Sequence, residues 1–566
     1  MLRRLLIGLL ALLAAGCGPE DASTGTSREG SPDAPGSKSL TIGITQYPAT
    51  LHPAIDPMLG KLYVLAMTMR PLTAFDHDWR LACSLCVTLP TLENGLAVLE
   101  TTPEGEPGLA VTWEIPAGAT WGDGVPVTSR DALFTWQVGK HPQSGIDAAE
   151  AYGTIEALEV LDDKRFTMHL NRRTPEYNAA GGLFLLPEHL ERPVFESAPA
   201  EYRHRTKYDT DPTNPGLYFG PYRVVEAVHG SHVTLERNPT WYGRSPYFDR
   251  IVVRAIERTT TLEANLLSGS LDMIAGELGL QLDQAQAFER RHGDRFAVVY
   301  EHGLLYEHID LNLDNPVLAD RRVRQALLYA LDREALDRQL FGGQQPVALT
   351  FVHPMDRPWT DAVAHYPFEP ARAAALLDEA GWRLADDGMR RNPAGEPLRF
   401  EIVSTAGDKS RELVEQVLQS QWREAGIDLR IRNETPRVFF GDTLPRRAFE
   451  DMALYGIAAT PEPVPRQTLH SSAIPSAANN FSGLNFPGFA DAEVDRLIEA
   501  LETELDPEAR LPIWHRLQQI YADELPALPL FFRTNPYVLP RWLTGVRPTG
   551  HVTVTTNWIE EWARTE

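Results

Sequence analysis

Alternating apolar and polar positions predict β-strands from residue 39 onward. Residues 39–44 alternate as one strand, and residues 111–115 alternate as another. Residues 155–170 and 222–235 each predict a pair of strands, joined by an Asp-Asp turn in the first pair and a His-Gly turn in the second. Folded structure is therefore expected to start abruptly at residue 39.

Apolar residues that recur every three or four positions predict helices among these strands. The clearest helix is predicted to begin at Asp320, whose side chain can cap it. Thr128 and Asp131 are spaced as a capping box and predict another helix. Further helices are predicted over residues 371–380, 411–425, 491–505 and 507–525. Helices and strands intermix without strict alternation, which predicts several α/β lobes.

The N-terminus has the layout of a secretion signal. Arg3 and Arg4 precede an apolar run over residues 5–12, which is far shorter than the about 20 residues that span a bilayer. Leu13-Ala14-Ala15-Gly16-Cys17 then resembles the bacterial lipobox, which implies a signal peptide over residues 1–16 and a lipidated Cys17. Residues 17–38 are rich in Gly, Ser, Thr, Pro and Asp, which predicts a flexible tether. A membrane-anchored extracytoplasmic lipoprotein is favoured over an ordinary soluble secreted protein.

Size and charge exclude several classes of protein. A chain of 566 residues is too long for one compact core, so more than one domain is expected. Its hydrophobic content of 43% is ample for large cores. The formal net charge of −24 repels nucleic-acid phosphates, so no nucleic-acid partner is expected.

Cys83 and Cys86 form a Cys-x-x-Cys pair, and only Cys17 accompanies them. In an oxidising compartment a local disulfide is the favoured interpretation, followed by two free thiols. A redox centre or a zinc site is favoured least, because neither a compact βαβ frame nor further ligands surround the pair.

Catalytic motifs are scarce. The sequence contains no Gly-x-Ser-x-Gly elbow, no His-Glu-x-x-His helix and no phosphate-binding loop, so any ATP hydrolysis is expected to occur on another polypeptide. Tyr-Glu-His occurs at residues 300–302 and again at 306–308, but six residues along a strand place the two histidines roughly 20 Å apart. Solvated or hydrogen-bonded side chains on an amphipathic strand are favoured over a metal site. We expect no enzyme activity, no metal and no cofactor.

Five segments, in order, resemble one family, the extracytoplasmic solute-binding proteins of family 5, which serve peptide-type ABC transporters. The segments share the family's sequence patterns at the family's spacing. They are Ala119-Thr120-Trp121-Gly122-Asp123-Gly124-Val125-Pro126-Val127-Thr128-Ser129-Arg130-Asp131, then Gly220-Pro221-Tyr222 with Leu235-Glu236-Arg237-Asn238-Pro239-Thr240-Trp241-Tyr242, then Leu267-Ser268-Gly269-Ser270-Leu271-Asp272, then Asp320-Arg321-Arg322-Val323-Arg324-Gln325-Ala326-Leu327 with Ala330-Leu331-Asp332-Arg333-Glu334, and finally Gln421-Trp422-Arg423-Glu424-Ala425-Gly426-Ile427.

The resemblance implies a periplasmic-binding-protein-like α/β fold, in which two α/β lobes are joined by paired crossing strands and an extra domain lies beside the first lobe. Lobe I would comprise residues 39–76, 215–307 and 529–566. The extra domain II would comprise residues 77–214, and lobe III residues 308–528. Ligand would be enclosed between the lobes, which close on it by a hinge motion.

The resemblance also implies positions for ligand-binding residues. In the family's peptide binders an aspartate pairs with the ligand's α-ammonium, but Ala459 or Thr460 stands at that position here. Either Glu462 replaces that aspartate or the ligand does not present its amine there. Arg533 falls where the family often has a pocket tyrosine; it would favour an anionic ligand if it points inward, and otherwise lies on a lobe surface. Other positions that match the cleft walls are Met58, Leu59, Tyr152, Tyr306, Arg446, Ile457 and Ala458.

The sequence therefore predicts a monomeric, lipid-anchored receptor that captures a peptide or peptide-like ligand and delivers it to ABC permease subunits with a separate ATPase. Alternatives are a protein of this fold for an opine, a sugar or a metal chelate, an exported hydrolase, or a chaperone-like envelope protein.

Overall fold

The computed structural model describes residues 38–147, 152–458 and 460–565. The predicted signal peptide over residues 1–16, the predicted lipidation site Cys17, the tether before Lys38 and the candidate ligand residue Ala459 lie outside the described residues.

Strands and helices intermix along this part of the chain. The strands are Ser39–Ile44 (β1), Thr73–Phe75 (β2), Leu81–Cys83 (β3), Ala97–Thr101 (β4), Pro107–Glu114 (β5), Ile155–Val160 (β6), Arg165–Leu170 (β7), Tyr222–Val228 (β8), His232–Arg237 (β9), Arg250–Ala255 (β10), Met273–Ile274 (β11), Phe296–Leu311 (β12), Arg383–Leu384 (β13), Arg390–Arg391 (β14), Arg399–Thr405 (β15), Asp428–Glu434 (β16), Met452–Ala458 (β17), Ala527–Pro540 (β18), Leu543–Thr544 (β19) and Ala563–Arg564 (β20). The longer helices are Leu59–Thr68 (α1), Ser129–Lys140 (α2), Glu188–Ser197 (α3), Thr259–Ser268 (α4), Leu282–His292 (α5), Arg321–Tyr329 (α6), Pro370–Glu379 (α7), Lys409–Glu424 (α8), Ala492–Thr503 (α9) and Pro507–Glu524 (α10).

Ten strands form one mixed sheet, in the order β16-β15-β17-β12-β18-β11-β1-β10-β9-β8. The two longest strands, β12 and β18, pair antiparallel in its centre, from Phe296 opposite Pro540 to Asp310 opposite Ala527. The pairing shifts between His302 and Tyr306. These are the paired crossing strands that the resemblance implied, because they join the strands on either side of the sheet.

Parallel pairing with helical crossovers organises each side of this sheet. On one side β1 pairs in parallel with both β10 and β11, and α4 connects those two neighbours. On the other side β15 pairs in parallel with β16, and α8 connects them. A helical crossover is the usual connection between parallel strands. Helix α4 ends at Gly269, whose φ of 80° gives the left-handed conformation of a common helix C-cap.

A separate four-stranded antiparallel sheet, in the order β4-β5-β7-β6, lies within the segment predicted as the extra domain. Helix α2 packs against β6 and β7 of this sheet, and the predicted capping box begins the helix: Asp131 accepts a hydrogen bond from the Thr128 amide at 2.7 Å. The carboxylate therefore satisfies a backbone donor at the helix entrance.

The buried apolar residues form several clusters. The largest combines residues between 40 and 278 with residues between 537 and 562, and a second combines residues between 282 and 454 with residues between 525 and 531. Both clusters include residues of the crossing strands, the first from the end of β18 and the second from the end of β12 and the beginning of β18. The protein thus has more than one core, as is expected for a chain of this length.

The sequence predicted the regular elements well. Strands at residues 39–44, 155–170 and 222–235 are confirmed, as is the helix capped by Asp320, which accepts a hydrogen bond from the Arg322 amide at 2.9 Å. The helices predicted over residues 371–380, 411–425, 491–505 and 507–525 are present within two residues of those limits. None of the helices in the described residues is long and apolar enough to cross a membrane.

Candidate ligand-binding site

A cavity of about 260 Å³ lies beside the end of β17. It is bounded by β12, β17, the segment that follows β17, the end of α10 and the beginning of β18. Its lining residues are Tyr306, His308, Asp310, Phe351, Tyr455, Ile457, Ala458, Thr460, Pro463, Val464, Pro465, Gln467, Thr468, Leu469, Leu484, Pro487, Tyr521, Pro526 and Ala527.

The pleat of two neighbouring strands produces one wall of this cavity. Side chains two residues apart on a strand share a face, so Tyr306, His308 and Asp310 of β12 point the same way. On β17, Ile457 lies opposite Tyr306 and Tyr455 lies opposite His308. These five residues therefore form one continuous patch of the sheet.

Beside the cavity, β17 has an edge that no strand of the described chain covers. On one side β17 pairs with β12 along its whole length. On the other side it pairs with β15 only at Met452 and Ala453. Residues 456–458 are half-buried or exposed, and in the described part of the chain no strand pairs with their outer edge.

Hydrogen bonds and stacked rings fix the polar groups of the cavity. The Tyr306 and Tyr521 hydroxyls lie 3.0 Å apart, and the Tyr455 hydroxyl donates to Oδ2 of Asp310 at 2.6 Å. His308 stacks on Tyr306 with ring centroids 4.8 Å apart, and its Nε2 lies 3.3 Å from Oδ1 of Asp310. Burial raises the pKa values of Tyr306 and Tyr455 well above their usual range, so both hydroxyls remain neutral.

Four of the residues predicted from sequence meet at this cavity: Tyr306, Ile457, Ala458 and Thr460. His308, Asp310, Tyr455 and Tyr521 were not predicted as ligand residues. The sequence predicted a solvated or hydrogen-bonded side chain for His308. The structure has a hydrogen-bonded one, with Nδ1 3.3 Å from the Tyr306 carbonyl oxygen, but it is 3% exposed and packed between tyrosines. The spacing Tyr306-x-His308-x-Asp310 on a strand is the signal that could have identified this face.

Glu462 lies between the lining residues Thr460 and Pro463 but does not itself line the cavity, and its backbone is in the left-handed region, with φ of 51°. Its amide donates to Oδ2 of the buried Asp356 at 2.8 Å. Its carboxylate lies 3.8 Å from Nη1 of Arg357 and 3.9 Å from Nε of Arg510. Burial raises the pKa of Asp356 to about 7, and the neighbouring Glu462 charge adds to the shift. The Glu462 carboxylate therefore already has two cationic neighbours.

Arg533 lies apart from this cavity and faces its own protein partners. Its Nε is 2.6 Å from Oε1 of Glu307, and its Nη2 donates to Asp408 at 2.9 Å. Arg411 also donates to Glu307, at 2.8 Å. Burial tends to raise the pKa of Asp408, but Arg533 and Arg411 outweigh burial and hold it below its usual range. Arg533 lines a different cavity, of about 170 Å³.

Met58, Leu59, Tyr152 and Arg446, which are also predicted ligand residues and lie in the described part of the chain, do not line the 260 Å³ cavity. Met58 precedes α1, where its sulfur accepts a hydrogen bond from the Ala49 amide at 3.4 Å, and Leu59 begins the helix with 37% exposure. The ring of Tyr152 lies over Gly139 of α2 and is buried. Arg446 pairs with Asp442 at 2.7 Å.

Cys83 and Cys86 are joined by a disulfide in the structure, with Cα atoms 5.1 Å apart. The bond lies at the end of the β2–β3 hairpin, where Cys83 pairs with Thr73. In the turn of the hairpin, Trp79 stacks on His353 with ring centroids 4.8 Å apart. The β2–β3 hairpin thus packs, through Trp79, against the segment around His353.

The family model for the bacterial extracellular solute-binding proteins, family 5 middle, matches residues 97–475. The chain belongs to this family. The oligopeptide-binding protein OppA of Bacillus subtilis is 24% identical over 567 residues, covering 96% of this chain and 95% of that protein.

Solved structures of family 5 proteins share the fold. The oligopeptide-binding protein of Thermus thermophilus, complexed with a pentapeptide, aligns with a TM-score of 0.67 and 28% identity, over 93% of this chain and 96% of that one. NikZ of Campylobacter jejuni, in complex with Ni(L-His), aligns with a TM-score of 0.68 and 22% identity, over 93% and 99%. The predicted family and the predicted fold are both confirmed.

Proposed function

We propose that this chain is the lipid-anchored receptor of an ABC importer and captures a peptide or peptide-like ligand between two lobes. Lobe I would comprise residues 39–76, 215–307 and 529–566, with domain II (residues 77–214) beside it and lobe III (residues 308–528) opposite. Family 5 membership, the apolar cavity at the end of β17 and the peptide-binding relatives support this function.

The uncovered edge of β17 is the observation that carries the proposal for a peptide. An extended peptide can add to an exposed strand edge through main-chain hydrogen bonds, while neighbouring pockets select its side chains. Residues 456–458 offer such an edge, and the cavity beside them is lined mainly by apolar and aromatic groups. A peptide strand on this edge would place one of its side chains or one of its ends in the cavity.

Delivery would follow from a difference between two conformations. A ligand that binds the closed lobes better than the open ones shifts the population towards closure. The closed, loaded receptor would then dock on permease subunits whose separate ATPase drives transport, while a lipid on Cys17 keeps it at the membrane. No step of this cycle requires bond chemistry on the receptor.

Thermal denaturation of the purified protein with a random library of short peptides tests the ligand class. We expect some peptides to raise the melting temperature, because ligands that bind only the folded state stabilise it. If no peptide does so while an opine, a sugar or a metal chelate does, the proposal of a peptide ligand is wrong. Mass spectrometry of the ligand after incubation distinguishes binding from turnover, and a chemically altered ligand would indicate an exported hydrolase.

Metabolic labelling with a fatty acid tests the anchor in cells that produce the full chain. We expect the label on the wild-type protein and its loss in Cys17→Ser. Label that persists in Cys17→Ser, or a wild-type protein that never carries it, would contradict the lipid anchor. Light scattering of the purified protein tests the expected monomer.

A further inference from the structure

Asp310 lines the 260 Å³ cavity, where few positively charged side chains of the protein can compensate its carboxylate. Its side chain is 5% exposed, and among the described residues that line the cavity it is the only Asp or Glu. The lining residues within the described ranges include no Lys and no Arg. The cavity therefore presents a buried carboxylate on a largely apolar surface, an arrangement that is costly unless a partner is supplied.

The contacts of Asp310 leave room for such a partner. Oδ2 accepts the hydrogen bond from the neutral Tyr455 hydroxyl, and Oδ1 lies 3.3 Å from Nε2 of His308. Within the described residues, no Lys or Arg side chain forms an ion pair with Asp310. Among the described lining residues, His308 is the one basic side chain that lies beside Asp310.

Glu462, the nearest alternative in sequence, is differently placed. Its carboxylate lies 3.8 Å from Arg357, which also pairs with Glu508 at 2.8 Å, and 3.9 Å from Arg510. Two cations of the protein therefore already lie close to it. A ligand cation at Glu462 would have to approach both guanidinium groups, whereas at Asp310 it would meet no like charge on a Lys or Arg.

We propose that Asp310 receives a positively charged nitrogen of the ligand, which enters the cavity beside Ile457 and Ala458. The inference rests on the proposed function, since a peptide on the β17 edge would bring its terminal ammonium or a lysine side chain to this cavity. At about 260 Å³ the cavity is smaller than the roughly 300–1,000 Å³ of sites that enclose whole ligands, so it suits one end or one side chain.

Affinity capture from a random tetrapeptide library that contains no arginine or histidine, read by mass spectrometry, tests the inference. Four forms of the library separate the sources of charge: unmodified, Nα-acetylated, acetylated only at the lysine side chain, and acetylated at both. We expect the wild-type protein to capture the doubly acetylated library at least tenfold less than the unmodified one. Loss with the Nα-acetylated form alone assigns the terminal ammonium, and loss with the side-chain form alone assigns lysine.

Variants then locate the charge. Asp310→Asn keeps the size of the side chain and an acceptor for Tyr455, and we expect it to capture the unmodified library at least tenfold less than the wild type. We expect Asp310→Asn to capture the doubly acetylated library as the wild type does, which also shows that it is folded. Asp337→Asn is the matched control, because Asp337 is a buried aspartate that accepts a hydrogen bond from the Gln345 amide at 2.9 Å and does not line the cavity.

Each outcome decides between distinct conclusions. If the wild type captures no library at all, the proposed peptide function fails. If it captures all four forms equally, peptides bind but the inference is wrong. If capture depends on the amine and is lost in Glu462→Gln but kept in Asp310→Asn, Glu462 holds the cation and the inference is also wrong. Acetylation is tested on the wild-type protein, so the result stands even if Asp310→Asn does not fold.

Discussion

Arg533 on β18 lies 2.6 Å from Glu307 on β12, where the pairing of the two crossing strands shifts register. Glu307 is 1% exposed and also accepts hydrogen bonds from Arg411 at 2.8 and 3.2 Å. Asp408 is the N-cap residue of α8, and its Oδ2 accepts a hydrogen bond from Nη2 of Arg533 at 2.9 Å. The carboxylates of Glu307 and Asp408 thus balance the charges of Arg411 and Arg533. The side chain of Arg533 links β18 to β12 where the two crossing strands pair.

We expect Glu307→Gln to destabilise the protein strongly. Removal of one member of a buried ion pair leaves its partners uncompensated, which costs about 3–5 kcal/mol. Chemical denaturation followed by circular dichroism measures the change in the free energy of unfolding. Exposed ion pairs contribute less than about 1 kcal/mol, so Asp442→Asn, which breaks the exposed pair with Arg446, is the control. A loss at Glu307 as small as the control's would contradict the buried network.

Two buried groups, His353 and Asp356, should change the stability of the protein with pH in opposite directions. Burial, with a smaller contribution from His302, lowers the pKa of His353 to about 3. Between its ordinary value of 6.5 and about 3, the unfolded chain binds a proton that the folded chain does not, so stability falls as the pH falls. The pKa of Asp356 is raised to about 7 from 3.8, so between these values the folded chain binds the extra proton and stability falls as the pH rises.

Melting temperatures of His353→Asn and Asp356→Asn between pH 7 and pH 5 test these signs. We expect the loss of stability on acidification to be smaller than that of the wild type in His353→Asn and larger in Asp356→Asn. Each group alters the slope of the free energy of unfolding by at most about 1.4 kcal/mol per pH unit. Equal slopes for both variants would show that neither group titrates differently on folding.

The sequence predicted elements whose signals are local. Asp320 and the Thr128–Asp131 box define helix starts through contacts within three residues, so their signals are visible in sequence alone. Strands of two or three residues, such as β11 and β2, are too short to show periodicity and were not predicted.

The residues of the candidate site were predicted only where the resemblance to the family assigns them a position. Tyr306, Ile457, Ala458 and Thr460 were identified by their place in the resemblance and do line one cavity. Tyr521 comes from α10, and its hydroxyl meets Tyr306 only in the folded chain. The environment of Arg533 likewise depends on Glu307 and Asp408, which are remote in sequence and bring no motif with them. Such long-range partners cannot be derived from composition or spacing.

The disulfide should contribute modestly to stability. Cys83 and Cys86 are three residues apart in sequence. Closing so short a loop lowers the entropy of the unfolded chain only slightly, which stabilises the folded state by about 2 kcal/mol at 25 °C. We expect the double variant Cys83→Ser, Cys86→Ser to fold and to lose about 2 kcal/mol or less in the free energy of unfolding, measured by chemical denaturation. A wild-type protein under reducing conditions is the matched comparison, and a much larger loss in both would show that the bond organises the β2–β3 hairpin.

Blocking the uncovered edge of β17 should abolish capture without unfolding the protein. Ala458 is exposed at the end of β17 and lines the cavity, so the indole of Ala458→Trp would occupy space that a ligand needs. We expect at least a tenfold loss of affinity for any peptide that stabilises the wild type, measured by calorimetric titration, with little change in melting temperature because the added ring lies at an exposed position. Leu384→Trp, at a position that is 60% exposed on β13 and does not line the cavity, carries the same ring and should leave affinity unchanged. Full affinity in Ala458→Trp would place the ligand elsewhere on the protein.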